Sequence, residues 1–220
     1  ALHVLQPIIR SIDGEYVGIM LPASVGSVVF YLAVMFSGKV PVMINWTTGI
    51  RTINHSLRSL AVKGVITSQT MLGKLQTMGI DCAALETRFV LTETIGKVIT
   101  TGDKVRAALC SRLSWRELRK APINRTAAVL FTSGTESLPK AVPLTHANIL
   151  ANIRDTTAMV HLRHSDALLG FLPPFHSFGL TVSVVFPLCV GLRVVYHANP
   201  TESANIARLC EAYKPTMVLG

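Results

Sequence analysis

Two long stretches without Asp, Glu, Lys or Arg constrain the fold of this chain more than any other feature. They span residues 17–38 and 167–192, and each is long enough by count to be a membrane-spanning helix. Prolines interrupt both stretches, and a proline breaks a helix because it lacks the backbone N–H and clashes with the preceding turn. These prolines are Pro22 in the first stretch and Pro173, Pro174 and Pro187 in the second. We therefore predict a strand, a turn and a helix in each stretch, and keep a membrane protein with two hydrophobic spans as the alternative.

Short apolar segments alternate with helical patterns along most of the chain. Strands are predicted at 17–21, 39–45, 64–67, 88–92 and 127–131, and helices at 2–12, 25–36, 52–60 and 69–78. A second series begins after residue 166, with strands at 168–172, 193–197 and 216–219 and helices at 178–191 and 201–213. Such alternation favours parallel sheets with helices on both faces, so we predict an α/β, doubly wound fold. We expect a first α/β subdomain over 1–165 and an incomplete second one over 166–220.

The net charge indicates which partners the chain could bind, and the cysteine spacing indicates the state of its thiols. The chain of 220 residues has a formal net charge of +9, which suits an anionic nucleotide, an acidic carrier protein or an anionic lipid surface. No basic run alternates with aromatic residues, so no nucleic-acid partner is expected. The four cysteines are too far apart for a metal or redox pair and are predicted to be reduced, mostly buried thiols. Since no targeting pattern is visible, we expect a cytoplasmic protein, with a peripheral membrane contact as an option.

A hydroxyl-rich loop follows the apolar segment 127–131, and a helical pattern begins after it at Thr145. The loop reads Thr-Ser-Gly-Thr-Glu-Ser-Leu-Pro-Lys over 132–140. Its hydroxyls and glycine backbone offer donors to phosphate oxygens, and Lys140 adds a mobile positive charge. It is not a Walker loop, because Pro139 replaces the second glycine and Ala141 replaces the magnesium-binding hydroxyl. From spacing alone, a polar surface turn is an equally good interpretation.

The loop resembles the phosphate-binding loop of the adenylate-forming superfamily. The residues that fit are Thr132, Ser133, Gly134, Thr135, Pro139 and Lys140, and those that depart are Glu136, Ser137 and Ala141. Glu136 is similar to the residue found in the acyl–acyl carrier protein synthetase and 2-acylglycerophosphoethanolamine acyltransferase branch. A second motif, Leu-Pro-Pro-Phe-His-Ser-Phe-Gly-Leu over 172–180, and a weaker one over 38–45 support the resemblance. The resemblance covers residues 16–220.

The resemblance implies part of the large N-terminal domain of an enzyme that uses ATP and Mg²⁺ to join a fatty acid to AMP. The acyl group then passes to the thiol of acyl carrier protein or CoA. The nucleotide is expected at Thr132, Ser133, Gly134, Thr135, Glu136 and Lys140, while no residue is assigned as a metal ligand. His176 is expected at the carboxylate-binding end of the acyl pocket.

Two further expectations concern activity. The family has additional nucleotide-binding motifs beyond the matched region, so residues 1–220 alone are expected to be inactive. The changed residues of the loop leave open a non-catalytic module that binds a nucleotide or an acyl carrier. A His-x-x-x-x-Asp spacing at His161 and Asp166, also found in glycerolipid acyltransferases, is interpreted as coincidence.

Overall fold

The computed structural model describes residues 2–85, 87–113, 116–132 and 138–219. The chain forms two compact units, one of residues 1–20 and 29–143 and the other of residues 21–28 and 144–220. Each unit contains a sheet with parallel strands and helices, which confirms the predicted α/β class. The second unit begins its main segment at residue 144. The sequence had predicted a subdomain boundary between 165 and 166, just before the first strand of the second sheet.

The first unit contains a sheet whose strands follow the order β4-β3-β1-β2-β5-β6. Its strands are β1 (Tyr16–Ile19), β2 (Val40–Met43), β3 (Gly64–Thr67), β4 (Arg88–Leu91), β5 (Thr126–Phe131) and β6 (Ala141–Thr145). Its helices are α1 (Leu2–Arg10), α2 (Val25–Phe36), α3 (Ile50–Ser59), α4 (Gln69–Thr77), α5 (Thr92–Val98), α6 (Thr101–Leu113) and α7 (Arg116–Arg119), with a short 3-10 turn at Cys82–Ala84. Strand β1 pairs in parallel with β2 and β3, β2 with β5, and β3 with β4.

The central strands explain the continuous apolar segments of the sequence. All four residues of β2 and of β3 are buried, as is expected for parallel strands that are covered on both faces. The residue range predicted for β3 matches the observed one, and the other predicted strands of this sheet agree to within two residues at each end.

Both charge-free stretches fold as a strand, a turn and helical structure, as predicted. In the first stretch, the Ser27 N–H donates to the Ser24 hydroxyl at 3.1 Å, so Ser24 caps α2 as expected. Within the described parts of the chain, no helix has both the length and the apolar character needed to cross a membrane.

The second unit contains a parallel sheet of three strands in the order β8-β7-β9. Its strands are β7 (Ala167–Gly170), β8 (Arg193–Tyr196) and β9 (Met217–Val218). Its helices are α8 (His146–Met159), α9 (Ser177–Leu180), α10 (Phe186–Val190) and α11 (Ser203–Tyr213), with a π-helical turn over Thr181–Val185. Helix α8 begins with a capping box, because Thr145 and Asn148 exchange side-chain to backbone hydrogen bonds of 3.0 and 3.2 Å.

The π-helical turn lies next to a proline and is supported from the sheet. Pro187 has no N–H to donate to the carbonyl of Ser183, four residues earlier. The hydroxyl of Tyr196, in β8, donates to that carbonyl at 2.5 Å. Burial raises the pKa of Tyr196 to about 12. A side chain from the sheet thus replaces a missing backbone donor, a contact that the sequence did not predict.

The structure corrects two predictions. The hydroxyl-rich loop leads into β6 rather than directly into a helix, because the short segment Ala141–Thr145 pairs as a strand at the sheet edge. A proline is tolerated there because an edge strand can lack a donor. The cysteines are not mostly buried: Cys189 is exposed and Cys82, Cys110 and Cys210 are half-buried. The unassigned stretch 93–125 contains most of α5, together with α6 and α7.

Candidate functional site

The two ends of the hydroxyl-rich loop are hydrogen-bonded to each other just beyond strand β5. Residues 127–130 of this strand are buried, and the loop begins where the strand ends. The Thr132 N–H donates to the Lys140 carbonyl at 3.1 Å. In return, the Lys140 N–H donates to the Thr132 hydroxyl at 3.0 Å. These two hydrogen bonds bring Thr132 and Lys140 together. We call Thr132, Pro139 and Lys140 the loop stem.

One residue of the loop stem is buried and the other two are exposed. Pro139 is buried, and its carbonyl lies 3.2 Å from Nε2 of His55, a half-buried residue of α3. Thr132 and Lys140 are exposed. No sequence pattern marked His55, because its partner is 84 residues away along the chain. Since the hydrogen bond holds the residue before Lys140, His55 is a positioning group for the stem.

The two exposed residues of the stem, Thr132 and Lys140, carry groups that can bind phosphate oxygens. A hydroxyl that accepts one hydrogen bond keeps its own hydrogen to donate, so Thr132 can still act as a donor. Lys140 supplies an ammonium group, and hydrogen bonds from an ionised donor to phosphate are stronger than neutral ones. The other predicted phosphate-binding residues, Ser133, Gly134, Thr135 and Glu136, lie outside the described residues. Their role stays a prediction.

The second predicted motif forms the turn that follows β7 together with the short helix α9, and we call residues 173–180 the histidine turn. His176 is the N-cap residue of α9. Its N–H donates to the Pro173 carbonyl at 3.2 Å, and its carbonyl accepts from the Leu180 N–H at 2.8 Å. The imidazole is exposed, and its centroid lies 4.5 Å from that of the Phe175 ring, tilted by 57°. The backbone thus holds His176 at the start of the helix while its side chain faces solvent.

A glycine makes the histidine turn possible. A Cβ atom on Gly179 would lie 2.1 Å from the Pro173 carbonyl oxygen, far inside van der Waals contact. Any larger residue at this position would push the turn away from the helix. The two aromatic residues of the turn differ, since Phe175 is 3% exposed and Phe178 is 51% exposed. Phe175 therefore belongs to the core, and Phe178 is available to a ligand.

Asp166, in the second unit, is hydrogen-bonded to two other parts of that unit. The Asp166 carboxylate accepts from the Arg163 N–H at 2.7 Å and from the Thr216 hydroxyl at 2.9 Å. These hydrogen bonds lower the pKa of Asp166. They tie the start of β7 to the segment before β9, so Asp166 has a structural role. Within the described ranges, no group of three or more His, Cys, Asp or Glu residues could hold a metal ion.

Comparisons with known proteins identify the family of this chain. Residues 12–220 match the family described as AMP-binding enzyme. A long-chain-fatty-acid–CoA ligase of Bacillus subtilis is 27% identical over an alignment 233 positions long, which covers 94% of this chain and 41% of that ligase. The chain therefore spans less than half the length of this relative.

Solved structures show the same fold. o-Succinylbenzoate CoA synthetase (MenE) from Bacillus subtilis, in complex with its acyl-adenylate intermediate, aligns with a TM-score of 0.74 at 18% identity, over 99% of this chain and 52% of that protein. The N-terminal domain of FACL13 from Mycobacterium tuberculosis also aligns with a TM-score of 0.74 at 18% identity, over 99% and 53%. These likenesses confirm the predicted fold, that of the N-terminal domain of adenylate-forming enzymes.

Proposed function

The chain belongs to the AMP-binding enzyme family, and from this we propose that it supplies the N-terminal part of a ligase that activates a fatty acid. In the proposed reaction, a carboxylate oxygen attacks the α-phosphorus of ATP and pyrophosphate leaves, giving an acyl-adenylate. A thiol then attacks the acyl carbon, and AMP leaves. The name of the Bacillus subtilis relative supports a fatty acid as the substrate and CoA as the acceptor. The resemblance at Glu136 keeps acyl carrier protein as a second acceptor.

The loop stem is the observation that carries this proposal. It stands where β5 ends, and β5 pairs in parallel with β2. Ligands of open α/β sheets bind outside the carboxyl ends of the strands. Here the stem presents an exposed hydroxyl and an exposed ammonium, held by two hydrogen bonds across the ends of the loop. Thr132 and Lys140 would therefore bind phosphate oxygens of ATP.

Lys140 would share with Mg²⁺ the neutralisation of the negative charge on the phosphates of ATP. When bound, Mg²⁺ lowers the repulsion between the phosphates and the attacking carboxylate, and it commonly keeps several waters and few protein ligands. Lys140 and Thr132 would orient the polyphosphate, so that catalysis depends largely on positioning and charge.

The histidine turn is proposed to serve the carboxylic acid. His176 and Phe178 are both exposed at the start of the helix that follows β7. An imidazole can donate a hydrogen bond to a carboxylate, while an aromatic ring contacts the hydrocarbon chain. We therefore assign His176 to the carboxylate end of the fatty acid and Phe178 to its chain.

Substitution of Lys140 tests the proposed phosphate site in the whole protein that contains this chain. Lys140→Ala removes a charge-assisted contact, and we expect fatty-acid-dependent exchange between ATP and pyrophosphate to fall about 10- to 100-fold. Lys74→Ala is the matched control, because Lys74 is an exposed lysine of α4 and should leave exchange unchanged. Equal exchange activity in both variants would show that the loop does not bind the nucleotide. Nucleotide binding without any exchange in the unmodified protein would instead favour a non-catalytic module.

Substitution of His176 separates the two substrates. His176→Ala should raise the KM for the fatty acid several-fold, by the loss of about 1 kcal/mol from one hydrogen bond, and should change the KM for ATP much less. Both constants can be measured in the same exchange assay. A change confined to the KM for ATP would contradict the assignment of His176 to the carboxylic acid.

A further inference from the structure

Helix α6 carries an apolar stripe on its outer face. Val105, Leu109 and Leu113 recur every four residues, so they lie on one side of the helix over about 12 Å. Their exposed fractions are 54%, 55% and 80%. The half-buried residues Ala107 and Cys110 mark the side that faces the rest of the unit. The helix thus turns its larger apolar side chains towards solvent.

Basic side chains surround this stripe. At 100° per residue, Arg106 and Arg112 lie on opposite sides of Leu109 around the helix, and both are exposed. Residues 97–125 contain eight basic side chains and two acidic ones, which is +6 of the +9 carried by the whole chain. The rest of the chain carries only +3, so the positive charge is concentrated in the segment that contains α6.

We propose that the outer face of α6 docks on an anionic membrane surface. A helix that lies in the membrane interface buries an apolar stripe among the acyl chains and places Lys and Arg beside the lipid headgroups. Val105, Leu109 and Leu113 form such a stripe, and Arg106 and Arg112 lie on its two sides. The acidic headgroups complement the +6 charge of this segment. The inference does not depend on the proposed chemistry, although a membrane would be a source of fatty acids.

The pattern favours lipid over two other anionic partners. Binding to a nucleic acid backbone needs basic groups and, for single strands, aromatic stacking platforms, and it would give no role to three exposed aliphatic side chains. An acidic protein offers a limited patch of negative charge. The basic residues here lie on both sides of the stripe, as suits a plane of negative charge that extends beyond the helix.

Flotation of the whole protein with lipid vesicles tests this proposal. Vesicles of phosphatidylcholine with about 30% phosphatidylglycerol should bind the protein, and pure phosphatidylcholine vesicles should bind it far less. Added salt should weaken the binding, because it screens exposed charges. Leu109→Gln should lower the partition coefficient about tenfold, through the loss of apolar burial. The double variant Lys104→Glu/Arg112→Glu, which reverses two exposed basic residues of α6, should lower it about 100-fold or more.

Matched variants control for general effects on the surface. Leu150→Gln changes the same residue type at a similar exposure of 50% on α8, and Lys74→Glu/Arg208→Glu makes the same charge change at two exposed sites elsewhere. Both controls should bind like the unmodified protein. Thermal unfolding should be unchanged in every variant, because all six substituted residues are exposed.

Three results would overturn the proposal. The first is the absence of binding to the anionic vesicles. The second is an equal loss of binding in Leu109→Gln and Leu150→Gln. The third is binding to an acidic carrier protein or to DNA that depends on Leu109 and Arg112 while the vesicles are not bound.

Discussion

The loop stem and the histidine turn solve the same structural problem by different physical means. Each follows a buried strand and presents an exposed side chain with a proposed role in substrate binding, Lys140 in one case and His176 in the other, next to a buried neighbour. The stem is held by hydrogen bonds between its two ends and by His55. The turn is held by backbone hydrogen bonds and by the contact of Gly179 with Pro173, which leaves no room for a side chain.

This difference predicts how each region tolerates change. A hydrogen bond near the surface contributes about 1 kcal/mol, because water can replace a lost partner. A close contact between backbone atoms cannot be relieved by water, so an added methyl group must move the backbone. The histidine turn should therefore be the more sensitive of the two regions, and substitutions can be ranked accordingly.

The largest effect is expected for Gly179→Ala. The new Cβ would lie 2.1 Å from the Pro173 carbonyl oxygen, so we expect the free energy of unfolding to fall by about 3 kcal/mol or more. Denaturant unfolding of the whole protein measures this loss. Gly73→Ala is the control, because a Cβ on Gly73 in α4 meets no atom within 4 Å. If both variants unfold alike, the close contact does not hold the turn.

A smaller effect is expected for Tyr196→Phe, which removes the hydroxyl that donates to the π-helical turn after α9. The change leaves the Ser183 carbonyl without the hydroxyl that donates to it, and should lower the free energy of unfolding by about 1–3 kcal/mol. The loss should depend on pH, since burial raises the pKa of Tyr196 from 10.0 to about 12 in the folded protein.

The sign of this pH dependence follows from proton binding. Between pH 10 and 12 the phenol ionises in the unfolded chain but stays protonated in the folded one. The unfolded state then binds fewer protons, so the stability provided by Tyr196 is present below pH 10 and is lost as the pH rises towards 12. Denaturation curves at several pH values should therefore show the two proteins converging in this range. A constant difference would contradict the burial of the phenol.

The smallest effect is expected at the loop stem, for His55→Ala. Loss of the hydrogen bond to Pro139 should cost about 1 kcal/mol or less. Its clearer signature should be a several-fold higher KM for ATP in pyrophosphate exchange, because Lys140 follows the released residue. His55→Gln keeps an amide N–H to donate and should restore most of the affinity. If Ala and Gln behave alike, His55 does not position the stem through this bond.

Wherever the determinants were local, the sequence predicted the fold well. The apolar segments predicted the strands, and Ser24 marked the start of α2 because a capping side chain bonds to residues of its own first turn. The candidate site was predicted in part. Thr132, Lys140 and His176 came from motifs, and the structure describes all three near the ends of strands. The motif residues Ser133–Glu136 lie outside the described residues, and the roles of all the motif residues remain predictions.

Contacts between distant residues had no signal in the sequence. Strand β6 was missed because an edge strand of five residues with an internal proline has no clear apolar pattern, and its pairing with β5 defines it. The bond from His55 to Pro139 joins residues 84 positions apart, and that from Tyr196 to Ser183 joins a strand to a helix.

The sequence by itself thus determined the elements and the chemical character of the loop, because capping, alternation and charge act over a few residues. Only the tertiary structure decided which groups support the loop stem and the histidine turn. It also decided that the apolar residues of α6 face outward, since the direction of a helix face depends on what packs against its other side.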